Sequence, residues 1–226
     1  MLSRAFSFPS GARGSYTAVM YTADQALARL VAGNARFVRG RVRFPTVKKE
    51  LLAELAKEQR PYATIVGCSD SRAPPELLFD AGFGELFIVR VAGNVISPEV
   101  VGTLQYAAIH LHTPLFVILG HEGCGAVQAA LAAKFQGVRE RRRIARLLMR
   151  ILPGLRGLRP NANAEAQLES AVEANVRWSM QQLLRSPEGK ARMAEGVLKL
   201  VGAVYELGTG RVRFLCSAAG ALRTQP

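Results

Sequence analysis

The 226-residue sequence contains only three cysteines, an odd number. That is too few to staple a chain of this length, so a disulfide framework is excluded and a reducing compartment with a metal role for the thiols is the better reading. Long apolar runs are also missing. The longest, Pro114 to Leu119 and Leu198 to Val204, fall far short of the roughly 20 residues a bilayer span requires, so no membrane association is expected. The first twenty residues carry Arg4 and Arg13 but no acid and no continuous hydrophobic core, which argues against secretion. Their scattered serines resemble an organelle transit peptide, and the plainer reading is a disordered or docking arm over residues 1–20. No internal repeat, low-complexity tract or Pro/Gly/Ser-rich linker divides the rest, and Pro153 to Pro160 reads as a short loop. Residues 21–226 are therefore expected to form a single domain.

Acidic residues are scarce as well: thirty Lys and Arg face seventeen Asp and Glu, a net charge of +13. Six arginines lie between Arg139 and Arg150, so a polyanionic partner has to be weighed. Those arginines interleave with Ile144, Leu147, Leu148 and Ile151 at helical spacing, which describes the solvated face of an amphipathic helix. No nucleic-acid-binding motif accompanies the charge, and no nucleic-acid partner is expected.

What is present is an alternation of helical and strand patterns. Thr22 with Gln25 has the form of a capping box, and Leu27, Leu30, Val31, Phe37 and Val38 recur on one face of a helix over about 23–39. A second helical pattern runs from Val47 to about Lys57. The run Thr64-Ile65-Val66 is a buried strand ending at Cys68; Leu86 to Val91 and Leu115 to Leu119 are strands. Between the last two, Ser97, Pro98 and Glu99 announce a helix by cap, first-turn proline and first-turn acid. Helices follow over about Ala126 to Lys134, through the arginine-rich segment, and over Ala164 to Leu184. Late strands are Leu198 to Val204 and Val212 to Leu215, which can hairpin through Gly208, Thr209 and Gly210. The order predicts an α/β fold: a mainly parallel sheet with helices on both faces and an antiparallel edge strand.

Cys68 and His121 each follow a strand, the place where open parallel sheets carry their sites. Cys124 follows three residues later between two glycines, at a helix start that favours a thiolate. Two thiolates and an imidazole are good zinc donors but fill only three tetrahedral positions. Cys216 as a fourth ligand of a closed structural site, or unrelated buried cysteines, are the alternatives. Asp70 and Arg72, just after Cys68, favour an open site, since a guanidinium keeps a carboxylate ionised and aimed at the vacant position.

The segments Cys68-Ser69-Asp70-Ser71-Arg72 and His121-Glu122-Gly123-Cys124-Gly125 resemble the paired signature of the beta-class carbonic anhydrases. Ala73 to Glu76, Leu86 to Asn94 and Val201 to Tyr205 resemble family segments in the same order, so the likeness covers roughly 23–216. It implies one zinc per chain on Cys68, His121 and Cys124, and reversible hydration of carbon dioxide to bicarbonate and a proton by zinc-bound hydroxide. Asp70 would orient the hydroxide and Arg72 would hold Asp70, which in a closed state would itself become the fourth ligand. Val91, Ala92 and Gly93 would wall the carbon dioxide pocket. The resemblance also implies a homodimer or homotetramer, and the cysteine usage places the enzyme in the cytoplasm. Glu122 departs from the small or hydroxylated residue expected there. Ile65 stands where family members with a regulatory bicarbonate site carry Trp, so that site is expected to be missing although Arg90 is present. His110 and His112, read as lying on one helix, are ordinary exposed histidines or a proton relay. The same scaffold also fits a carbonyl sulfide or carbon disulfide hydrolase, or a catalytically silent zinc-binding interaction protein.

Overall fold

The computed structural model describes residues 21–43, 49–185 and 198–215. The expected arm at 1–20, the start of the second helix at Val47, and Cys216 lie outside these residues.

Apolar, β-branched runs form the centre. Strands β1 (Ala63–Gly67), β2 (Leu86–Arg90), β3 (Leu115–His121), β4 (Lys199–Tyr205) and β5 (Val212–Phe214) make one sheet in the order β2-β1-β3-β4-β5. The first four are parallel, and β5 closes the edge antiparallel to β4. Alternate residues enter two cores: Val66, Phe116, Ile118, Leu200 and Val204 on one face, Ile65, Val117, Leu119, Val201 and Ala203 on the other. Burial of both faces explains why these strands read as continuous apolar runs.

The first core is covered by α4 (Pro98–His110), α5 (Gly125–Phe135), α6 (Arg142–Ile151) and α7 (Ala164–Arg185). The second is covered by α1 (Ala23–Val38) and the short α3 (Pro75–Leu78). A further short helix, α2 (Lys49–Leu55), buries none of its residues. The fold is thus the α/β arrangement expected. A Cβ at Gly120 or Gly202 would meet Val176 at 2.6 and 2.9 Å respectively, so these glycines let α7 lie directly on the sheet.

Several local readings shift. The Thr22 capping box forms, but the buried face of α1 is Ala26, Leu27, Leu30, Gly33 and Asn34, leaving Val31 and Val38 exposed. The apolar pattern misplaced that face because its last turn is organised by a polar residue. Asn34 is buried; its Nδ2 donates to the carbonyls of Leu78 and Gly210 at 3.1 and 2.9 Å, and its Oδ1 accepts the Val212 N–H at 2.8 Å. In α6, Leu148 and Ile151 are buried, whereas Ile144 in the first turn is exposed with the arginines. The loop expected from Pro153 opens instead in a 3-10 turn, Leu152–Leu155, because Leu155 is fully buried. His112 lies beyond α4, at a positive φ of 53°.

Gly33 lies against the backbone after α3, where an added Cβ would stand 1.9 Å from the Phe79 carbonyl oxygen. A backbone atom cannot swing aside as a side-chain tip can. Gly33→Ala is expected to lower unfolding stability by about 1–3 kcal/mol or more. Gly102→Ala, exposed inside α4 with nothing near its Cβ, is expected to raise it by roughly 0.5–1 kcal/mol. Urea denaturation of both variants checks the pair.

Candidate metal centre

Chain direction places the site. From β1 the sheet grows to β2 on one side and, after the chain crosses over, to β3 on the other, so the carboxyl ends of β1 and β3 flank a topological switch point. Gly67 pairs with Leu119 in that parallel register. Cys68 leaves the end of β1, His121 ends β3, and Cys124 caps the N-terminus of α5.

Their donor atoms all lie within 4.8 Å of one another, and all three residues are buried. The two sulfurs are 4.0 Å apart. His121 Nδ1 lies 2.7 Å from the Glu122 carbonyl oxygen. As the donor of that bond, Nδ1 leaves the Nε2 lone pair of a neutral ring directed elsewhere. Among the described residues Nε2 is buried with no hydrogen-bond partner. Such an atom is costly unless something satisfies it, and two sulfurs beside a lone imidazole nitrogen match the soft and borderline donors zinc prefers. The residues fit a tetrahedral cation with one position left for a non-protein ligand.

The charges are interdependent. The Cys68 thiol is lowered to about 4, chiefly by the hydrogen bond with Cys124, with further help from His121 and the N–H groups of Gly93 and Asp70, against the cost of burial. Cys124 is pushed up by that same bond, by burial and by the charge on Cys68. The helix start does supply the expected donors, the N–H groups of Val127 and Ala126, but the neighbouring sulfur outweighs them. Burial works against protonation of His121, yet Cys68, the Glu122 carbonyl and Asp70 reverse it, and the net direction is up. A cation that displaces the shared protons relieves this crowding.

Asp70 and Arg72 meet side to side. Arg72 Nε and Nη2 donate to the two Asp70 carboxylate oxygens at 2.9 and 2.7 Å, and the Arg72 backbone N–H adds a bond of 2.9 Å. Arg72 Nη2 also reaches the Gly123 carbonyl at 3.3 Å. Asp70 Oδ2 lies 3.8 Å from His121 Nε2, so the carboxylate borders the cluster while the guanidinium holds it.

Asn175 carried no signal in the sequence, and Arg90 and Glu122 were noted there without the contacts they make. Arg90 Nε donates to the Cys68 carbonyl at 2.9 Å and its Nη2 to that of Asp70, so it fixes the loop after β1. Glu122, the departure from the family pattern, accepts the Leu207 N–H at 2.8 Å and ties the end of β3 to the β4–β5 turn. Asn175 of α7 holds the Gly93 carbonyl at 2.8 Å. Spacing gave no signal for any of them, since each acts on backbone far away in sequence. Of the pocket candidates, Val91 pairs through its N–H with Gly67, and Ala92 and Gly93 belong to a 3-10 turn, Ala92–Asn94, with Gly93 N–H directed at Cys68 Sγ, 3.3 Å away. The His110 ring lies tilted against Tyr106 with centroids 4.9 Å apart, and neither His110 nor His112 joins the cluster.

The fold and the three-donor cluster define a candidate metal centre at the switch point of an α/β sheet. The carbonic anhydrase family matches residues 63–212. Carbonic anhydrase 2 of Mycobacterium tuberculosis is 40% identical, over 80% of this chain and 87% of that protein. A structure of tetrameric beta-carbonic anhydrases from Sordaria macrospora superposes with a TM-score of 0.68 at 25% identity, covering 75% of this chain and 88% of that one. The beta-carbonic anhydrase CcaA gives 0.67 at 26%, covering 87% and 93%. The chain belongs to the carbonic anhydrase family and is an enzyme of its beta class.

The Arg72 hydrogen bonds hold the Asp70 carboxyl well below the usual carboxylate range. A depressed folded pKa adds stability that is complete above the unfolded value of about 3.9 and is lost as pH falls through the folded one. In an NMR titration of carboxyl carbons, Asp70 is expected to stay ionised where an ordinary Asp is half protonated. Arg72→Gln should return its midpoint toward that ordinary value.

Proposed function

We propose that this chain catalyses reversible hydration of carbon dioxide to bicarbonate and a proton, with one zinc per chain held by Cys68, His121 and Cys124. The observation that carries the reading is the convergence of two sulfurs and a buried, partnerless imidazole nitrogen within 4.8 Å. Beta carbonic anhydrases are zinc enzymes, and membership of that family supports the same metal here. Bound zinc supplies Lewis acidity that makes hydroxide available near neutral pH.

The chain's own residues do the rest. Two thiolates offset the formal charge of a divalent cation, so the nucleophile needs a second group to hold it. Asp70, kept ionised by Arg72, can only accept a hydrogen bond. A hydroxyl that donated its hydrogen to Asp70 would keep a lone pair free for the substrate carbon. Arg72 keeps that acceptor in place as an outer-shell partner does. Val91, Ala92 and Gly93 offer carbon dioxide an apolar wall beside Cys68.

Residues 21–226 act as one catalytic domain in this reading. Free thiols at Cys68 and Cys124 suit a reducing compartment such as the cytoplasm, and among the described residues no helix is long and apolar enough to cross a membrane.

Stopped-flow hydration with zinc measured on the same sample tests the assignment. Fast turnover with about one zinc per chain is expected, and Cys68→Ser should lose both. Asp70→Asn should keep zinc and lose roughly 10–100-fold in turnover, and unchanged turnover would refute its role. Zinc without hydration activity would favour a sulfide-hydrolysing or silent relative of the same scaffold.

The assembly proposed is a homodimer or homotetramer. Tyr106 and Ile109 of α4 are about half exposed, with Phe87 stacked on Tyr106, and the Sordaria relatives are described as tetrameric. Such an apolar patch is normally covered by a partner. Size-exclusion chromatography with light scattering should return a multiple of the chain mass; a single-chain mass at micromolar concentration overturns the proposal.

A further inference from the structure

Next to the cluster runs a chain of hydrogen bonds that starts far from any sequence motif. Asn175 and Ser179 sit one helical turn apart on α7, and both are almost wholly buried. Asn175 Nδ2 donates to the Gly93 carbonyl at 2.8 Å, and Ser179 Oγ donates to the Asn94 carbonyl at 3.1 Å. Between those two grips the backbone takes consecutive left-handed conformations, with φ of 66° at Gly93 and 44° at Asn94. The second is a conformation that asparagine tolerates better than most residues with a side chain. The Gly93 N–H donates to Cys68 Sγ at 3.3 Å.

We infer that Asn175, assisted by Ser179, is a positioning residue for the metal centre: it holds the Ala92–Asn94 turn so that the Gly93 N–H faces the Cys68 sulfur. This rests on the zinc reading above. The two peptide groups that meet at the Gly93 Cα are joined through φ and ψ of that residue alone, so holding the carbonyl of one narrows the orientations open to the N–H that meets sulfur. An N–H directed at a thiolate stabilises its charge and restrains its direction, as outer-shell donors do for metal ligands. The turn has little room to find this pose unaided. A Cβ at Gly93 would stand 2.8 Å from Ile151 Cδ1 and 3.1 Å from the Ala126 Cβ. Nor is the Asn175 amide there merely to satisfy itself: its Oδ1 is buried without a partner. Among the described residues the side chain bonds only to Gly93, and bears the cost of an unsatisfied acceptor to do so.

The test is zinc affinity of the full-length protein by competition with a chromophoric chelator. Asn175→Leu keeps the volume and removes the donor, and is expected to weaken zinc binding by roughly 10–100-fold. Ser179→Ala, the milder change, should weaken it in the same direction by less. Met180→Ala, which opens the same core on the same helix without touching the turn, should lower the melting temperature and leave zinc affinity unchanged. In the cobalt(II)-substituted protein, Asn175→Leu should move the sulfur-to-cobalt charge-transfer band and Met180→Ala should not. A folded Asn175→Leu with affinity within about twofold of wild type, or an equal loss in Met180→Ala, overturns the inference. If Asn175→Leu fails to fold, unchanged affinity in Ser179→Ala overturns it. Wild-type protein that takes up no zinc sinks the metal centre itself, an outcome distinct from zinc uptake that the variants leave untouched.

Discussion

The pairing of β1 with β3 is the constraint on which the site depends. Two parallel strands cannot be neighbours without a long crossover between them, and here that crossover carries β2, the Ala92–Asn94 turn and α4. Register then does chemical work. With Gly67 opposite Leu119, Cys68 leaves β1 one position beyond Gly67 and His121 ends β3 two positions beyond Leu119, so the two donors arrive one step apart at the same end of the sheet, one offering sulfur and the other nitrogen. A slip of one position would turn every side chain of β1 to the opposite face and take Cys68 away from His121. The third donor needs no strand, because Cys124, three residues beyond His121, caps the start of α5 at the same corner.

Around this corner, backbone groups are managed as closely as side chains. Arg90 grips two carbonyls of the loop after β1, Arg72 touches the carbonyl of Gly123, Glu122 takes an amide from the β4–β5 turn, and Asn175 takes the carbonyl of Gly93. Each spans elements distant in the chain. The donor set is held from four sides, which suits a candidate metal site, whose geometry depends on the support around its donors.

This division explains what could be read from the sequence. The α/β class, the strand order of motifs, and the grouping of Cys68, His121 and Cys124 follow from short patterns whose meaning is local: β-branched runs, a capping box, two motifs at strand ends. Asp70 and Arg72 were legible because they are two residues apart and bond to each other. Arg90, Glu122 and Asn175 were not, since each acts on backbone more than fifteen positions away, and no spacing rule encodes that. The same reason displaced the face of α1. Apolar periodicity pointed to Val31 and Val38, but a buried amide at Asn34 decided which side turns inward. Ile144 misled for the converse reason: in the first turn of a short helix, an apolar side chain can be left in solvent.

Asn34 has a consequence at the sheet's outer boundary. β5 is an edge strand, and a strand that leaves its outward amides free is a template on which another chain can add. Here the Val212 amide is capped by the Asn34 side chain, and Arg213 is engaged by Glu169, Glu173 and Glu206. Among the described residues, an amide from a helix and a knot of charge thus occupy part of the edge that hydrogen bonding alone would leave open to another strand.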